Sequence, residues 1–131
     1  MNEHGFVKAV HRHLCPNVYR WKIHDTYTGG VPDTFYCGPA GPLWVEYKYI
    51  KLPKRPTTPI NLGLSELQRA WLQRMLDWDQ PAAVVVGFDK SAAIITDLED
   101  RACLVLGDLK ENAVTFKKVA AWIREITHAS S

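Results

Sequence analysis

Apolar residues recur along the chain in two rhythms, one near four residues and one of two, and the switches between them lay out the expected elements. Residues 3–15 set Phe6, Val7, Val10 and Leu14 at helical spacing, and Pro16 with Asn17 ends that helix. Residues 18–24 alternate Val18, Arg20, Lys22 and His24 against Tyr19, Trp21 and Ile23, the period of a strand. Thr28-Gly29-Gly30 breaks the strand, and residues 33–37 read as a second one. Gly38-Pro39-Ala40-Gly41-Pro42 is a strong turn signal, and residues 43–50, rich in aromatic and β-branched side chains, form a third strand. A loop with three prolines follows over residues 51–63.

Residues 65–78 return to helical spacing, with Leu67, Trp71, Met75 and Trp78 expected as one buried stripe. Residues 82–88 are a compact apolar strand, residues 92–95 its partner across Asp89-Lys90, and residues 102–106 a further short strand. Residues 115–127 read as a last helix, with Val119, Trp122, Ile123 and Ile126 on one side. The order is αβββαββ(β)α, a mixed α/β domain with a central sheet flanked by helices.

Composition narrows this picture without naming a function. A chain of 131 residues is expected to form a single domain over 1–131 and to bury roughly two-thirds of its unfolded surface. The net charge of +2 is too small to imply a polyanionic partner, so any such partner has to be argued from where the charges sit. Cys15, Cys37 and Cys103 are odd in number and lack CxxC spacing, which argues against a zinc knuckle or disulfide framework. Reduced thiols point to a cytoplasmic setting, that of a bacterium or a phage-infected cell. No run approaches the ~20 apolar residues of a membrane span, so no membrane partner is expected.

The chemistry concentrates at Val31-Pro32-Asp33 and Glu46-Tyr47-Lys48. A hairpin turning near Pro39 and Ala40 sets Asp33 opposite Glu46, and directly opposed residues have Cβ atoms about 4.5–5.5 Å apart. Glu46 and Lys48 are two apart on one strand and share a face. Two carboxylates and an amine at one spot suit Mg²⁺, which takes one or two carboxylates and leaves its other positions to water and phosphate. A surface hairpin with an ordinary ion pair is the plain alternative. Against it, Glu46 and Lys48 interrupt a strand that otherwise reads as buried, where unpaired charge is costly.

These residues resemble the PD-(D/E)XK nuclease superfamily, with Pro32-Asp33 and Glu46-x-Lys48 as the signature. Gly30-Val31-Pro32-Asp33 before the Glu-x-Lys strand, and Leu64-Ser65-Glu66-Leu67-Gln68 at a helix start, are similar to the VRR-NUC branch and neighbouring Holliday-junction resolvases. The resemblance covers about residues 3–88. It implies a restriction-endonuclease-like fold in αβββαβ order, metal ligation by Asp33, Glu46 and the Tyr47 carbonyl, and Lys48 as catalytic lysine. It also implies Mg²⁺ as cofactor, with Mn²⁺ able to substitute, and products with 5′-phosphate and 3′-hydroxyl ends. Tyr47 departs mildly from the pattern, since a smaller apolar residue is usual there.

Further candidates each carry a plainer explanation. Family members often draw an extra acidic ligand from the first helix, here Glu3, which equally suits a helix N-terminus. Gln68 matches a glutamine of the family's active site, and Ser65-x-x-Gln68 is also a capping box. Lys22 and His24 lie beside the hairpin, and Lys51, Lys54 and Arg55 form a basic loop fit for phosphate contact. Lys8, His11, Arg12 and His13 make a second basic face. Trp71, Trp78 and Trp122 are expected in core packing or a dimer interface.

The expectation is a Mg²⁺-dependent DNA endonuclease acting on branched or junction DNA, since no element announces base reading in a groove. Two symmetric cuts call for a homodimer, with the helix around Trp122 as candidate contact. Alternatives are a nicking or general nuclease of phage replication or repair, a catalytically silent DNA-binding module, and a structural partner in a larger complex.

Overall fold

The computed structural model describes residues 1–24, 29–97 and 106–128. Asn2 opens the first helix, α1 (Glu3–His11), by accepting the Gly5 amide at 2.8 Å. Strands β1 (Tyr19–Lys22), β2 (Thr34–Gly38) and β3 (Gly41–Tyr49) follow. Helix α2 (Glu66–Asp77) begins at a capping box in which Ser65 and Gln68 each bond the other's amide. Strands β4 (Ala82–Phe88) and β5 (Ser91–Ile95), then helices α3 (Leu106–Glu111) and α4 (Phe116–His128), complete the order.

The strands form one five-stranded sheet in the order β1-β2-β3-β4-β5. Only the β3–β4 pair is parallel, and α2 is the crossover that parallel pairing requires. The interior strand β4 is buried along its whole length, as its unbroken apolar run implies. β1 is an edge strand.

Helices cover both faces. On one side, Phe6 and Val10 of α1 with Val119, Ala120 and Ile123 of α4 close over Tyr36, Leu43, Val45, Tyr47 and Val85. On the other, Leu72 of α2 seals Val84, Val86 and Leu62, with Trp44, Trp71, Met75 and Leu76 packed around them. At Gly87 α1 presses the Phe6 ring close to the sheet. A Cβ there would lie 2.7 Å from both Phe6 and Tyr49, so a glycine lets the Phe6 ring settle on the sheet.

The expected central sheet with flanking helices is present, and three details differ. β1 is shorter than residues 18–24, because Ile23 makes only one further ladder bond, to Asp33 at 2.8 Å, and His24 lies outside the strand. The buried line of α2 is Leu72 with Trp71, Met75 and Leu76, whereas Leu67 and Trp78 are each 62% exposed. Leu67 lies over the Gly29–Gly30 loop beyond the sheet, and Trp78 is the C-cap. The strand expected over residues 102–106 lies outside the described residues except for Leu106, which opens α3. The apolar stripe of α4 is used within the chain: Ile123 is buried, and Trp122 and Ile126 pack against the first core. Among the described residues no helix is long and apolar enough to cross a membrane.

Candidate metal and phosphodiester site

Gly38 and Gly41 pair across a two-residue turn of Pro39 and Ala40, and the ladder runs back to Thr34 opposite Val45. One further step sets Asp33 opposite Glu46. The loop before Asp33 is held by α2. Gly30 has φ +89°, and a Cβ on it would lie 2.3 Å from the Leu67 carbonyl oxygen. Only glycine tolerates both that φ and that approach.

Backbone groups then fix the acids. The Tyr47 amide donates to the Asp33 carboxylate, and the Asp33 amide donates to the Glu46 carboxylate. Thr34 Oγ1 donates to Asp33 Oδ1 at 3.0 Å. Lys48, on the same face of β3 as Glu46, holds its Nζ 3.6 Å from Glu46 Oε2. Phe6, wedged against Tyr47, Tyr49 and Phe116, anchors α1 so that its first turn delivers Glu3. Oxygens of Glu3, Asp33 and Glu46 all lie within 4.8 Å of one another.

Three acids against one amine is an unbalanced set, and the protonation energetics register it. Burial, then the Glu3 charge, raise Asp33 from 3.8 to about 6, against the Thr34 and Tyr47 hydrogen bonds. Burial, then the Asp33 charge, raise Glu46 from 4.5 to about 7, and Lys48 offsets only part of this. Glu3 is close enough to Asp33 to hydrogen-bond, an arrangement bare carboxylates hold only with a proton or a cation between them. Three hard oxygen donors converging beside one lysine match the donor chemistry that Mg²⁺ or Mn²⁺ accepts.

Tyr47 alternates away from Glu46 and Lys48 into the core. Its hydroxyl meets that of Tyr36 at 2.5 Å, and Tyr36 in turn meets His11 Nε2 at 2.6 Å. Burial raises both phenols above their usual range and lowers His11 to about 4, with Arg20 adding to the effect on the histidine. This network escaped the sequence reading. Period-two alternation reveals that Tyr47 points inward, but no local signal says which hydroxyl it meets.

The other sequence candidates separate in space. Lys22 borders a cleft of about 460 Å³ between α1 and β1 that also exposes Glu3, Asp33, Lys8 and Arg20. His24 is exposed and borders a different hollow. The side-chain oxygen of Gln68 accepts the Ser65 amide at 3.0 Å, which is the capping role. Lys51, Lys54 and Arg55 are exposed on the loop after β3, which is tied to α3 through Gly107 N and Pro56 O at 3.2 Å. Arg20 and Lys8 were not singled out for the site from sequence; they are brought to it because α1, packed on β3, faces β1 across this cleft.

No protein-family model matches the sequence, and no curated protein sequence matches it. Among solved structures, the chain is similar to Hjc from Archaeoglobus fulgidus, described as a Holliday junction resolvase from an archaeal hyperthermophile. The TM-score is 0.57 at 12% identity, with 92% of this chain and 97% of that chain covered. The likeness shows a shared fold, the restriction-endonuclease-like α/β arrangement that the motif resemblance implies.

Proposed function

We propose that this chain is a divalent-metal-dependent nuclease that hydrolyses phosphodiester bonds in branched DNA. The observation that carries the reading is the convergence of Glu3, Asp33 and Glu46 within 4.8 Å, with Lys48 bonded to the last. Its support from elsewhere is the fold shared with a protein described as a Holliday junction resolvase.

In this reading Asp33, Glu46 and the Tyr47 carbonyl hold Mg²⁺ or Mn²⁺, with Glu3 as a further ligand. When bound there, such an ion would supply Lewis-acid polarisation of the phosphate and a water of lowered pKa. Lys48, paired with Glu46, would serve the reaction as a cation where negative charge grows on the attacked phosphate, or as the group that takes a proton from the attacking water. Gln68 orients the site from the first turn of α2, and Lys22, Lys51, Lys54 and Arg55 contact phosphates on either side. The products carry 5′-phosphate and 3′-hydroxyl ends. Paired cuts across a junction require two copies, so the acting form is a homodimer.

The test is cleavage of four-way junction, flap, linear duplex and single-stranded DNA by the purified chain, with and without Mg²⁺ or Mn²⁺. Metal-dependent cutting that favours the branched substrates, and is lost in Asp33→Asn, is expected. DNA binding without cutting in either metal leaves a silent binding module. Equal rates on all substrates leave a general nuclease. A one-chain mass at working concentration removes the homodimer.

A further inference from the structure

The register that opposes Asp33 to Glu46 also builds an aromatic row beside them. On the sheet face carrying Glu46 and Lys48, Trp21 pairs with Phe35 and Phe35 with Trp44. Their ring centroids lie 6.4 Å and 4.6 Å apart, and Trp44 continues to Trp71 of α2 at 5.0 Å. The row starts beneath α2 and ends bare on the edge strand, where Trp21 is 53% exposed. The carboxylate row of Glu46 and Asp33 lies one pleat further along the same strands, about 7 Å away. One nucleotide spans that step.

Cations flank the bare end. Arg20 and Lys22 alternate with Trp21 along β1 and border the cleft of about 460 Å³ that reaches Glu3 and Asp33. A second hollow of about 470 Å³, bordered by Trp21, Lys22, His24 and Trp44, lies against the same strand. Either is large enough for a single nucleotide. The Trp21 ring lies on one face of the edge strand and Arg20 and Lys22 turn to its other face, so a strand draped over this edge meets an aromatic for its base and cations for its phosphates, the combination single-stranded nucleic acid uses.

We propose that Trp21 is a stacking platform for an unpaired nucleobase next to the scissile phosphate, with Arg20 and Lys22 holding the flanking phosphates. The proposal rests on the nuclease reading and narrows its substrate to DNA that is already unpaired within about a nucleotide of the cut. Such a base reaches the platform without the unstacking that a paired one needs.

A second copy pairing edge to edge through β1 is the rival occupant, and the strand's own charges oppose it. A two-fold pairing that keeps the sheet faces continuous matches residues of like parity. It therefore sets Arg20 opposite Arg20 or Lys22, or Lys22 opposite Lys22, of the other copy. Like charges directly opposed in a ladder destabilise it, and cationic edges guard against such pairing.

The test measures binding of a fluorescently labelled oligothymidylate of about 15 nucleotides by anisotropy, in chelator so that nothing is cut. Wild type, Trp21→Ala, Trp21→Phe and Trp78→Ala are compared, Trp78 being an exposed tryptophan at the far end of α2. Trp21→Ala is expected to weaken binding by about 5- to 150-fold, the range for losing one base–aromatic stack. Trp21→Phe should stay within about threefold of wild type, and Trp78→Ala should match it. Unfolding midpoints and sedimentation are recorded for each protein. No binding by wild type, or equal binding by wild type and folded Trp21→Ala, overturns the platform. So does a dimer that falls to monomer in Trp21→Ala while oligonucleotide binding persists, since the face then belongs to the second copy. Metal-dependent cutting with binding indifferent to Trp21 removes the platform alone. Binding that depends on Trp21, without cutting in any metal, removes the nuclease reading and keeps the platform.

Discussion

Replacing Asp33 by asparagine should make the metal-free protein more stable, even though it abolishes cleavage. In the fold Asp33 is held from 3.8 up to about 6, so the folded state binds its proton more tightly than the unfolded chain does. A carboxyl shifted in this direction contributes its full stability below pH 3.8 and loses it as pH rises through about 6. Two units at ~1.4 kcal/mol each give a penalty of about 3 kcal/mol for ionised Asp33 at pH 7.5, falling below about 1 kcal/mol at pH 4. Asparagine keeps an oxygen for Thr34 and carries no charge to desolvate. For a domain of this size the gain corresponds to a rise of about 10 °C in the unfolding midpoint. The assay is thermal unfolding of wild type and Asp33→Asn at pH 7.5 and pH 4 in chelator, then at pH 7.5 with Mg²⁺. Metal at 100 times its Kd gives wild type about 2.7 kcal/mol, so the gap should close there. The reasoning is refuted if Asp33→Asn is the less stable protein in chelator by the same margin at both pH values. The carboxylate would then be a structural hydrogen-bond acceptor and not an electrostatic liability.

Four other outcomes follow from the same geometry. Lys48→Ala removes the amine 3.6 Å from Glu46 and should reduce cleavage by at least about 100-fold while the chain stays folded, read by circular dichroism beside the cleavage rate. Glu3→Gln, checked by calorimetric Mn²⁺ titration, should weaken metal binding several-fold without abolishing it, since Asp33 and Glu46 remain. Tyr36→Phe leaves the Tyr47 hydroxyl and His11 Nε2 without their shared partner and should cost about 1–3 kcal/mol in denaturant unfolding, whereas adding Tyr47→Phe should recover part of that loss. Lys54→Ala with Arg55→Ala should weaken DNA binding and flatten its dependence on salt by about two in the log–log slope.

The hairpin and its acids were legible because both follow from local rules. A two-residue turn flanked by glycines fixes the register, and register fixes which side chains oppose each other, so Asp33 and Glu46 could be paired before any coordinates. The fully buried β4 was legible for the same reason, as an unbroken apolar run. The misassigned face of α2 shows where local rules stop. Leu67 and Trp78 keep helical spacing with Trp71, yet Leu67 lies over the Gly29–Gly30 loop and Trp78 is the C-cap, and periodicity carries no information about what lies beneath each turn. Glu3 could only be a guess from sequence. Its approach to Asp33 depends on Phe6 seating against Gly87, a contact between residues eighty-one apart. Trp21 was readable as a strand residue but not as an exposed one, because exposure depends on α2 stopping short of β1.

The two faces of β3 explain why this site and this core constrain each other. Glu46 and Lys48 project to one side while Val45, Tyr47 and Tyr49 project to the other, and Tyr47 is locked by its hydroxyl to Tyr36. A slip of one residue would send Glu46 and Lys48 into the aliphatic layer under α1 and α4, and Tyr47 toward the carboxylates. Burying an unpaired carboxylate and ammonium costs several kcal/mol each, comparable with the whole stability of a domain. The register that gathers the acids is therefore the one register the core accepts. The unfavourable crowding of Glu3, Asp33 and Glu46 persists because the packing behind them leaves β3 nowhere else to go. In the proposed function, a divalent cation would turn this crowding from a cost into a source of binding energy.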